Sequence, residues 1–98
     1  PEQELISESE FRALKSNYEN AWKDSQRGVD DLTQKMNELW QHYYSMNDMV
    51  SRDLLQQQIA ETYQALLKAQ DDVVKYKADF DAFLAKAVKE GVPPNWIK

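Results

Sequence analysis

Ninety-eight residues with two glycines, three prolines and no cysteine leave room for few turns. That excludes a disulfide framework and a thiolate metal centre, and it argues against an all-β fold, which needs a turn every ~8–12 residues. A net charge of −5 with scattered basic residues argues against a nucleic-acid interface, and no apolar run approaches the ~20 residues of a membrane span.

The first punctuation in the chain is Ser7-Glu8-Ser9-Glu10. It reads as a capping box, with Ser7 as N-cap accepting from the amide three residues on and Glu10 reaching back. Ile6 and Phe11 have the spacing of a hydrophobic staple, and Glu8 and Glu10 suit the positive end of a helix dipole. A helix is therefore expected from about residue 7 to 46. Its apolar seam runs Phe11, Leu14, Tyr18, Trp22, Ser25, Val29, Leu32, Met36, Leu39, Tyr43 and Met46. The steps alternate between three and four, except for two consecutive fours at Leu14-Tyr18-Trp22, a stutter that relaxes supercoiling. Ser25 and Gly28 mark the weak point of this helix, because glycine within a helix costs about 1 kcal/mol relative to alanine. A break there would convert a hairpin into a three-helix bundle of 7–27, 29–46 and 50–90. Glu8/Arg12, Glu19/Lys23 and Asp31/Lys35 are acid-first i, i+4 pairs.

Ser45 to Met49 is the one plausible interior turn, with Asn47 in a left-handed conformation and Asp48 or Ser51 capping the next helix. The two arms it separates are matched at about 60 Å each, as an antiparallel hairpin requires. The second helix, about 49–90, carries an unbroken heptad seam: Leu55, Ile59, Thr62, Leu66, Ala69, Val73, Tyr76, Phe80, Phe83 and Ala87. A second row, Tyr63, Leu67, Val74, Leu84 and Val88, widens its apolar face beyond a two-stranded seam. Asp71/Lys75 is a further acid-first pair. Gly91 is a natural helix stop, and Pro93-Pro94 forbid continuation. The tail 91–98 reads as extended, with Trp96 and Ile97 able to fold back on the open end near Phe11 and Phe83, or to serve as a ligand for another protein.

The chemistry of sites is sparse. His42 is the only histidine, and Glu38 one turn before it is its only evident ligand companion, short of the three or four a metal shell needs. Asp30-Asp31, Asp71-Asp72 and Asp79/Asp81 read as solvated helix surface, not as carboxylate pairs with divided pKa values. There is no phosphate loop, catalytic triad or cysteine nucleophile. No catalytic residue, metal ligand or cofactor is expected. The residues that ask for a partner are Trp40, Tyr44 and Met49 around the tip, Tyr63, Leu67 and Val74 in the second row, and Trp96 in the tail.

The expected architecture is thus one all-α domain over 1–98. It is a long antiparallel, coiled-coil-like helical hairpin with a short extended tail, completing a helical bundle by self-association. The expected function is a non-enzymatic structural or protein-interaction module that recognises a protein partner, or itself, through apolar helix faces and an aromatic, Met-rich tip. The alternative is a helical bundle that carries a metal or apolar ligand after oligomerisation, with Glu38 and His42 repeated by symmetry.

Overall fold

A computed structural model describes residues 6–98. It contains helix α1 (Glu8–Ser45), helix α2 (Met49–Lys89) and a single helical turn α3 (Pro94–Ile97). Ser7 begins α1 by accepting from the Glu10 amide at 3.1 Å. This is half of a capping box, since the Glu10 carboxylate makes no return bond. From there α1 runs without interruption through Ser25 and Gly28, so the three-helix alternative is not the fold. Ser25 stays within the helix by turning its hydroxyl onto the Trp22 carbonyl at 2.6 Å.

The chain reverses at Met46-Asn47-Asp48, which makes a hairpin and rules out a continuous rod. The turn differs from the expected one. Asn47 is not left-handed; Met46 is extended (φ −84°, ψ 136°) and its amide returns to the Tyr43 carbonyl at 3.3 Å. The side chains do the rest: Ser45 Oγ donates to the His42 carbonyl, and Asp48 caps α2 by accepting from the Ser51 amide and hydroxyl. Those Ser51 bonds, the hydroxyl first, hold the Asp48 carboxyl below the ordinary aspartate range.

Every residue of the α2 seam is buried or half-buried against α1. A hairpin of this kind has a seam and no interior, so most of those side chains keep some solvent contact. The exception is the open end, where three helices meet. Phe11 is 1% exposed and packs with Ala87 and Val92, flanked by Phe83, Trp96 and Ile97. Gly91 makes this corner possible. At φ +83° it sends its amide to Val88 and the Val92 amide to Ala87, which drops Val92 into the core. Both bonds and the apolar contact match a Schellman stop.

The tail is not extended as expected. Pro93 precedes a turn with Pro94 at its first position, where proline's fixed φ suits a helix start. Arg12 and Lys15 of α1 donate to the Asn95 and Lys98 carbonyls at 3.2 and 3.1 Å and hold the tail down. Of the expected surface pairs, Glu8/Arg12 and Glu19/Lys23 form, at 2.8 and 3.7 Å. Asp31/Lys35 and Asp71/Lys75 do not; Lys68–Asp72 and Lys77–Asp81, in the opposite order, take their place on α2.

Candidate functional site

Each residue of the second row on α2 stands one position past a seam residue: Tyr63 after Thr62, Leu67 after Leu66, Val74 after Val73. One step round a helix is about 100°, so these side chains leave the seam on one side. Trp40 and Tyr44 stand in the same relation to Leu39 and Tyr43 on α1. In an antiparallel pair, positions one past the seam on both helices look out of the same face of the layer. The structure bears out the rule directly. Gln26 and Asp30 of α1 and Gln70 of α2, all one past the seam, line one shallow groove over Val29 and Val73. Gln26 is two heptads before Trp40, Asp30 two heptads before Tyr44, and Gln70 one heptad after Tyr63.

Trp40, Tyr44, Tyr63, Leu67 and Val74 therefore share one face, and Met49, two heptads before Tyr63, joins them at the tip. Tyr44 (75%), Met49 (73%), Val74 (70%) and Tyr63 (50%) are well exposed, and Leu67 (39%) and Trp40 (38%) less so. The remaining residue, Trp96, is set apart. Its ring lies 5.9 Å from Phe11, and it belongs to the core cluster at the open end. Arg12 and Lys15, which hold the tail, follow Phe11 and Leu14 by one. So α3 lies over the same face that the tip and the middle leave bare.

A polar band separates covered from bare. Lys77 pairs with Asp81 at 2.6 Å and sets its ammonium 5.0 Å above the Trp22 ring. Beyond it the tip is an aromatic knot. Trp40 stacks on Tyr44 at 5.6 Å and meets Tyr43 edge-on at 5.5 Å, while the Arg52 guanidinium lies over the Tyr43 ring, 4.5 Å from its centroid. Tyr43 closes the end of the seam and is half-buried; Tyr44 is stacked yet three-quarters exposed. Arg52 Nε is buried without a hydrogen-bond partner.

Sequence reasoning passed over Arg52, because an arginine at a seam position carries no apolar signal, although it lies one heptad before Ile59. It also passed over Val50 and Leu54, exposed beside Met49, since they fall on no periodic row. The opposite face is bare at the open end instead, where Leu14, Tyr18, Ala82, Lys86 and Glu90 border a groove of about 730 Å³.

Among the described residues, no three of His, Cys, Asp and Glu come together as a metal site. Glu38 accepts instead from Gln34 at 3.3 Å. Among the described residues, no helix is long and apolar enough to cross a membrane. Comparison of the chain with protein-family models, with curated proteins and with solved structures finds no match.

Proposed function

We propose that this chain is a non-enzymatic structural or protein-interaction module that binds through the bare face and aromatic tip of its hairpin. The observation that carries the reading is the gathering of Trp40, Tyr44, Met49, Tyr63, Leu67 and Val74 on one face, four of them at least half exposed. Exposed apolar side chains scattered singly need no explanation, whereas several gathered on one face point to an interaction site. Tyr, Trp and Met are the residue types enriched at such sites.

Trp40→Ala is expected to weaken partner capture at least tenfold in a pull-down while leaving helicity by circular dichroism unchanged, because its ring rests on the tip's surface. Trp96→Ala acts through the open-end core and lowers stability instead. Equal capture by wild type and Trp40→Ala would count against the reading.

The groove at the open end supports a second reading, a carrier of an apolar ligand, since Phe11, Phe83 and Tyr18 form a stacked aromatic wall there (5.2 and 4.7 Å between centroids). Displacement of a bound fluorescent dye by a fatty acid, lost on Tyr18→Ala, would favour it.

A further inference from the structure

Resting on the interaction reading, we propose that the occupant of the bare face is a second copy of this chain, docked antiparallel, with α2 packed on the partner's α2 about a two-fold axis at Leu67.

The first ground is surface. The chain exposes 7418 Å², against about 5,800 Å² for a compact monomer of its 11.5 kDa mass, an excess of about 1,600 Å². Its radius of gyration is 20.9 Å, where a compact chain of 98 residues has about 13 Å. Both follow from a body one helix thick, 73 × 18 × 15 Å. The bare face from the tip to α3 spans about thirty residues of α2, hence about 45 Å by 18 Å, or about 800 Å² per copy. That matches what each partner contributes to a standard stable interface, about 800 Å².

The second ground is that the row is complementary to itself when reversed. Along α2 the positions facing out are Ala60, Tyr63, Leu67, Gln70 and Val74. Reversal about Leu67 sets Leu67 on the partner's Leu67, Val74 on the partner's Ala60, and Tyr63 beside the partner's Gln70. A large side chain meets a small one, and the tyrosine hydroxyl gains an amide within reach. A two-fold contact of this kind is isologous and closes at two copies. The overlap also ends where it should. Tyr43 beside Arg52 and Trp22 beside Lys77 set the level of α1 against α2. With that register, the tip of one copy reaches the partner's α1 just where the partner's α3 begins.

The third ground is charge. The chain is acidic, at −5, yet between the tip and the Lys77–Asp81 pair the outward positions of this face are Gln26, Thr33, Asn37, Gln56 and Gln70 together with the apolar row. Asp30, Asp53 and Lys23, one past Val29, Arg52 and Trp22, are the charged ones, and none of them lies in the α2 row. The row from Ala60 to Val74 carries no charge, so the two α2 helices can meet along it without desolvating one.

The absence of cysteine makes the test direct. Leu67→Cys is expected to form a covalent dimer under mild oxidation at least tenfold faster than Ala65→Cys, which lies at the same level on the opposite side, one position before Leu66. Reversal by dithiothreitol, and a wild-type dimer in sedimentation equilibrium at micromolar concentration, complete the expected result. Leu67→Glu is expected to raise the dissociation constant at least tenfold with unchanged helicity. A wild-type dimer whose two cysteine variants crosslink equally overturns the placement, including any packing with the two tips side by side. A monomer at 100 µM with no preferential crosslink overturns the second copy altogether. A photo-crosslinker at residue 67 then separates the two levels. Capture of a different protein keeps the interaction reading and overturns self-docking; capture of nothing by a monomer overturns both.

Discussion

Phe11→Ala is expected to destabilise the hairpin by about 3–5 kcal/mol, the range for removing a fully buried aromatic ring. Among the described residues, Phe11 is the one large side chain sealed from water. It stacks on Phe83 at 5.2 Å and touches the Trp96 ring at 5.9 Å. Its loss leaves a void at the only place where α1, α2 and the tail meet, and the short α3 has no other apolar anchor of that size. For a domain near a hundred residues such a change lowers the melting temperature by roughly 15–30 °C. Urea denaturation followed by circular dichroism checks it: the midpoint falls while the slope holds. Leu14→Ala, at a seam position but 41% exposed beside the open groove, serves as the comparison and should lose far less. If the two variants lose equally, the open end is not the centre of stability.

The second expectation concerns the two glycines, for which one substitution should act in opposite directions. Gly91→Ala is expected to cost about 1–2 kcal/mol, because an L-residue strains at a left-handed backbone angle. No neighbour lies within 4 Å of an added Cβ, so the φ of +83° is the whole penalty. The strain falls on the amides that Gly91 and Val92 send to Val88 and Ala87, so the tail should loosen and proteolysis near Pro93 should quicken. Gly28→Ala is expected to add about 0.5–1 kcal/mol, since Gly28 is helical and an added Cβ again meets open space. Thermal melts of the two variants should therefore fall on either side of wild type. A Gly28→Ala variant less stable than wild type would mean that close approach at this position, not helix propensity, retains the glycine.

The apolar period sufficed to place both long helices, their seams and the reversal between them. A heptad repeat can be satisfied only by a helix with a partner along its length, and two matched arms supply that partner within one chain. The Ser7 cap, the Asp48 cap and the Gly91 stop were legible for the same reason: each rests on neighbours three to five residues apart. The turn lies where expected, but its left-handed Asn47 was misread because no glycine or proline fixes its backbone, and Met46 satisfies the reversal with an ordinary extended conformation. The tail was harder still. Pro93-Pro94 ends one helix, yet whether α3 forms depends on Arg12 and Lys15, 83 residues away in sequence. The candidate face divides along the same line. Periodicity identified Trp40, Tyr44, Tyr63, Leu67 and Val74 as surplus to the seam. That they share one side, with Trp96 folded over its far end, depends on how the two arms dock. Periodicity along one helix carries no information about which flank of its neighbour it will meet; antiparallel packing supplies it.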